Sequence, residues 1–140
     1  MKTTRLLTAL LLTLGAGASF AQTAATTVQR DVNQQTRIEQ GLRSGALNTK
    51  EAAKLEREES KVDRMQANAL KDGKLTPAEK ARLQAAQNQT SRDIAAAKHN
   101  EVTGNPQSAS SQRMQADVQR NVNQEKRIEN GIQNGSLTNR

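Results

Sequence analysis

An all-α fold of short antiparallel helical hairpins or a bundle joined by glycine turns is predicted by three features of the chain. Apolar residues recur at three- and four-residue spacing, small-x-Gly breaks interrupt them, and capping residues follow the breaks. The break is repeated. Arg37-Ile38-Glu39-Gln40-Gly41-Leu42-Arg43-Ser44-Gly45-Ala46-Leu47-Asn48 returns as Arg127-Ile128-Glu129-Asn130-Gly131-Ile132-Gln133-Asn134-Gly135-Ser136-Leu137-Thr138, and residues 29–50 match 119–140 at 11 of 22 positions with an offset of 90. A looser copy, Leu70 to Glu79, lies between them. Such periodicity marks helices folded back on one another.

Residues 1–21 form a secretory signal. Lys2 and Arg5 supply its charge, Leu6 to Leu14 its apolar core and Ser19-Phe20-Ala21 a small-x-small cleavage site. The apolar run is too short for a membrane anchor, so no stable membrane insertion is expected after cleavage. The pattern is that of a Gram-negative exporter, and the destination is periplasmic or secreted.

Residues 28–43 carry Val28, Val32, Ile38 and Leu42 roughly on one side, with Glu39 and Arg43 as a favourable pair. Gly45 is placed to end this helix in the left-handed conformation. Asn48 with Glu51 forms a capping box and opens the next helix, 48–71, whose stripe is Leu55, Val62, Met65 and Ala69. Asp72-Gly73 stops it. Thr76 with Glu79 caps a third helix, 77–99, with Pro77 at its first position and a stripe of Leu83, Ala86, Thr90, Ile94 and Ala97. Residues 22–100 thus form one three-helix unit. Gly104-Asn105-Pro106 and its serines make 101–111 a flexible linker. Residues 112–140 are a partial second copy, an extra C-terminal helix over 112–133 with Val118, Val122, Ile128 and Ile132 in place of the first helix's apolar residues. That helix is expected to compete for the second helix, within or between chains, or to remain a tail.

Composition narrows the function. The chain lacks Cys, Trp and Tyr, and its one Phe lies in the signal. No disulfide supports the fold, and the aliphatic core is thin. Loss of the signal takes the net charge from +7 to +5, spread along the chain with no basic stripe. Without a stripe or aromatic stacking platforms, nucleic acid is not an expected partner. His99 is the only histidine and sits in a polar helix end, Lys98-His99-Asn100. With no Gly-rich phosphate loop and no nucleophile elbow, no enzyme is expected and no catalytic residue is assigned. Glu58-Glu59 reads as part of a solvated charge run.

Asp72-Gly73-Lys74-Leu75-Thr76-Pro77-Ala78-Glu79 resembles the second half of an EF-hand loop. Its candidate calcium ligands are Asn68, Asp72, Thr76 and Glu79, but Leu70 stands where another oxygen is needed. Helix stop and capping box explain the same residues, so no cofactor and no tight calcium site are expected.

Arg37 to Asn100 resembles a set of small uncharacterised exported helical proteins of beta-proteobacteria with the pattern R-I-x-x-G-x-x-x-G-x-L-T-x-x-E-A-x-x-L-E, here Arg37 to Glu56. A D-G-x-L-T-x-x-E turn follows at Asp72 to Glu79, and a Q-N-x-x-S-R-x-I helix at Gln87 to Ile94. The resemblance implies helical fold and export and no assigned activity. Leu75-Thr76-Pro77-Ala78-Glu79 is also similar to the L-T-x-x-Q motif of Spy/CpxP-type periplasmic chaperones, with Glu79 in place of Gln; Leu47 to Glu51 departs from it twice. That likeness implies a stress-related protein binding unfolded clients on a helical surface. The expected function is therefore non-enzymatic and periplasmic, acting through a protein partner or self-association. The alternatives are a degenerate EF-hand-like cation binder and a structural module assembled through the repeated helices.

Overall fold

The computed structural model describes the backbone of residues 15–72 and 75–136, and side chains from Ala24 onward. Most of the expected signal, Gly73, and Leu137 to Arg140 at the end of the second repeat lie outside the described residues. Four helices and no strand occur among those described: α1 (Gly15–Ser44), α2 (Thr49–Ala69), α3 (Pro77–Lys98) and α4 (Ala109–Gln133). None is long and apolar enough to cross a membrane.

The helix ends follow the local chemistry. Gly45 at φ 78° closes α1, and the Leu47 amide donates back to the Gly41 carbonyl at 2.9 Å. This turn folds the Leu47 side chain over Gly41, so that Leu47 is fully buried. Asn48 Oδ1 accepts from the amides of Lys50 and Glu51, both at 2.9 Å, while Glu51 Oε2 accepts from the Asn48 amide. The same box forms between Thr76 and Glu79. Each box stabilises its helix by about 1 kcal/mol. His99 is the C-cap of α3. Ser108 caps α4 by accepting from the Ser111 amide at 3.2 Å, three residues earlier than the periodicity places the start.

Hydrogen bonds between side chains fix the helix directions. Gln87 of α3 meets Thr27 and Asp31 of α1, and Ser91, one turn further along α3, meets Arg37 further along α1, so these helices are parallel. Asn100 reaches back to Glu51, making α2 and α3 antiparallel. Arg43 at the end of α1 meets Gln119 midway along α4, while Glu129, Ile132 and Gln133 at the end of α4 lie beside Ala25 to Arg30 of α1, so α4 descends along α1. The result is an up-down-up-down bundle. α3 and α4 each touch both α1 and α2 but not one another, and α1 with α4 is the most extensive pair.

That pairing corrects the expectation for the last helix. Within the chain α4 is not a tail: it packs chiefly on α1, the helix it repeats, and reaches α2 through the Asn121–Glu56 hydrogen bond. Antiparallel packing of two copies through equivalent faces gives a local two-fold. Val28 and Val32 are buried, as are Val118 and Val122; Glu39 and Glu129 are buried, as are Gly41 and Gly131. The apolar core gathers at one end of the bundle, from Ile38, Leu42, Leu47, Ala52, Leu55, Ile94, Val118 and Val122, with Ala97 and Met114 against it. Met65, expected in the α2 stripe, is instead exposed.

The linker is also tied down rather than loose. The Gly104 amide donates to the Gly45 carbonyl at 2.8 Å, strapping the connection over the α1–α2 turn. A Cβ at Gly104 would run into the backbone of Leu47 and Asn48, whereas one at Gly135 (φ 73°) would meet nothing within 4 Å. Gly104→Ala should therefore lower the unfolding free energy by roughly 1–3 kcal/mol through overpacking. Gly135→Ala should cost only about 1 kcal/mol of backbone strain. Urea unfolding followed by far-UV circular dichroism checks the order, and equal losses would refute the strap.

Candidate functional site

Away from the apolar end, the bundle interior turns polar. The heptad-like rows that bury Val28, Ile38 and Leu42 on α1 also bury Asp31, Gln34 and Gln35. On α2, Glu59 falls four residues after Leu55 and three before Val62, and the helix carries it inward to 1% exposure. On α3, Gln87 and Thr90 lie between Leu83 and Ile94 and are buried with them. Glu125 of α4, partly buried, adds a further carboxylate, and Glu56 and Asp63 flank Glu59 on α2.

Part of this interior is well satisfied. Gln87 is the centre: its Nε2 donates to Asp31 Oδ1 at 2.8 Å and to the Thr27 carbonyl at 3.2 Å, while its own carbonyl accepts from Gln34 Nε2 at 2.7 Å. Asn121 Nδ2 donates to Glu56 Oε2 at 2.9 Å. Around Glu59 the supply of donors stops. Neither of its carboxylate oxygens has a hydrogen-bond partner, nor have Glu56 Oε1, Gln34 Oε1 and Gln35 Oε1. All are acceptor oxygens.

The electrostatics follow from that arrangement. Burial pushes the Glu59 carboxyl up to about 9, and Asp31, Asp63, Glu56 and Glu125 add to the rise. Burial takes Asp31 to about 7, against the opposing pull of the Gln87 hydrogen bond. Glu125 is raised to about 7, again by burial and then by Asp63, and Glu56 is raised by burial despite hydrogen bonds with Asn121 and Gln35. An ionised buried carboxylate without partners costs several kcal/mol, so Glu59 is held neutral at pH 7.

The sequence-based candidates are placed elsewhere. Asp72 is exposed in the α2–α3 turn. Asn68 and Glu79 line a shallow groove of about 200 Å³ with Met65, Ala69 and Arg82. Glu79 Oε2 accepts from the Thr76 amide at 2.9 Å and from Thr76 Oγ1 at 2.6 Å, which holds its carboxyl below the usual range. Thr76 and Glu79 thus serve one another as the cap, and the Arg82 cation shares their groove. Among the described residues no three His, Cys, Asp or Glu side chains converge as a metal site needs.

The buried acidic group is what sequence reasoning missed, and Glu59 is the correction: it lies inside the bundle, not on a solvated face. Helical spacing could have found it, since Glu59, Gln87, Asp31 and Gln35 all occupy positions that continue an apolar row. No protein-family model, curated protein or solved structure matches the chain.

Two outcomes test the site. Gln87→Ala should destabilise the bundle by about 1–3 kcal/mol, because it leaves Asp31 buried without its donor; urea unfolding at pH 7 measures this. Millimolar calcium should leave the melting temperature of both the parent and Asp72→Asn unchanged, and a calcium-dependent rise abolished by Asp72→Asn would restore the cation-binding reading.

Proposed function

We propose that this is an exported, non-enzymatic helical protein that binds polypeptide segments, a chaperone-like role suited to a stress response outside the cytoplasm. Export rests on the N-terminal pattern of Lys2, Arg5, the Leu-rich core and Ser19-Phe20-Ala21. The binding role rests on one observation, the unequal treatment of the two repeats. On α1, Ile38 and Leu42 are fully buried beneath the α1–α2 turn and the other helices. Their counterparts on α4 are not: Ile128 is 40% exposed. Ile132 lines a groove of about 510 Å³ with Ala25, Thr26, Gln29, Arg30, Glu129 and Gln133. Aliphatic groups framed by one cation, one carboxylate and amides suit an extended or helical segment of mixed character, where apolar burial gives affinity without demanding one sequence.

The same exposed stripe favours a second reading, assembly of the chain with itself through α4. Suppression of aggregation of a thermally unfolded client decides for the first. The protein should keep the client soluble at near-stoichiometric ratio, and Ile128→Asp combined with Ile132→Asp should abolish this while leaving the far-UV spectrum intact. Failure of the parent protein to suppress aggregation, with a concentration-dependent dimer by sedimentation that the same double variant dissolves, would replace client binding by self-assembly.

A further inference from the structure

The amide donors of the polar interior are spent on other groups, and none reaches Glu59. Glu59 is 1% exposed with two unpartnered oxygens, and the nearby unpartnered atoms of Glu56, Gln34 and Gln35 are oxygens as well. The charged groups that act most strongly on Glu59 are acidic: Asp31 from α1, Asp63 and Glu56 from α2, and Glu125 from α4. Asp117 of α4 adds to the negative field at Glu56. Cations lie at the margin only. Arg30 acts on Asp31 while its Nη2 donates to Asn88, and Arg64 acts on Asp63 while its Nε donates to the Ser60 carbonyl. The buried polar side chains that α3 turns toward this region, Gln87 and Thr90, are neutral.

What such a cluster lacks is positive charge and donor hydrogens together. A metal ion would need converging ligands that are absent among the described residues. A proton needs neither a cavity nor a coordination shell, and on a carboxyl oxygen it turns an acceptor into a donor while removing the charge.

We propose that the junction of α1, α2 and α4 around Glu59 is a proton-operated latch, closed when protons neutralise its carboxyl groups and loosened when they are withdrawn. This proposal stands apart from the client-binding reading. The direction follows by linkage. The carboxyl groups bind protons more tightly in the folded chain than in the unfolded one, where they titrate near 4. Stability is therefore fully present in acid and is lost as pH rises through the folded values of about 7 for Asp31 and Glu125 and about 9 for Glu59. The apolar end around Ile38, Leu42 and Leu55 carries none of these groups. Loosening thus begins at the polar half of α2 and leaves the α1–α2 turn closed.

The test is urea unfolding of the purified protein at fixed pH values from 5 to 9.5, read by far-UV circular dichroism. The unfolding equilibrium constant should rise roughly five- to tenfold between pH 8 and 9, where Asp31 and Glu125 have given up their protons and Glu59 still largely holds its own. Glu59→Gln, neutral at every pH, should remove that dependence. A rise below about threefold over that unit, or a slope between pH 8 and 9 that survives in Glu59→Gln, would overturn the latch. Should Glu59→Gln fail to fold, carbon-detected NMR titration of the Glu59 carboxyl in the parent chain decides: a midpoint above 7 supports the proposal and one between 4 and 5 refutes it. Amide exchange corrected for its intrinsic pH dependence should accelerate over residues 56–66 before 41–52, and the reverse order would also refute it.

Discussion

The packing of α1 against α4, its own copy, governs the rest of the bundle. Two helices that share Val-x-x-x-Val and Glu-x-Gly spacings meet antiparallel, so each buried valine, glutamate and glycine on one has its counterpart on the other. The α2–α3 hairpin lies against the pair, α2 touching both helices and α3 touching α1. The duplication thereby supplies the first helix with a partner, where one expectation from the chain's order was a helix left over.

Among the described residues the two copies differ in the cover they receive. Leu47 folds beneath Gly41 and, with Leu55 and Ile94, closes over Ile38 and Leu42. Around Ile128 and Ile132 the described residues provide no such cover, and a groove remains. The interior is asymmetric along its length as well. Aliphatic side chains fill the end near the α1–α2 turn, while amides and carboxyls share the other with Val28, Val32, Val62 and Leu83. Packing at the first end resists change in pH, whereas packing at the second depends on which carboxyl groups hold protons.

Much of this architecture was legible in the residues. Both capping boxes, the left-handed Gly45 and the extents of α2 and α3 follow from local chemistry, because caps and breaks act within one helical turn. Two kinds of information were not local. The strap from Gly104 to Gly45 joins segments far apart in the chain, and the choice of α1 as the partner for α4 is a tertiary matter on which periodicity is silent. Glu59 was misread because a charged side chain in an acidic and basic run is ordinarily solvated. Its spacing from Leu55 and Val62 carried the opposite message, and in the folded chain spacing prevailed over residue type. The candidate cation loop was legible in the other direction: Thr76 and Glu79 bind one another as the capping box required.

The strap at Gly104 has a consequence for how the chain finds its fold. Contacts between α1 and α4 join residues widely separated in sequence, which ordinarily slows folding through the entropy of closing a long loop. The Gly104–Gly45 hydrogen bond lies at the foot of both helices, with α4 starting at Ala109. Once the α1–α2–α3 unit has formed and the linker has crossed its turn, α4 is tethered a few residues from its place. Its docking becomes a short-range search, much like the closing of a hairpin, and the long loop ceases to count against it.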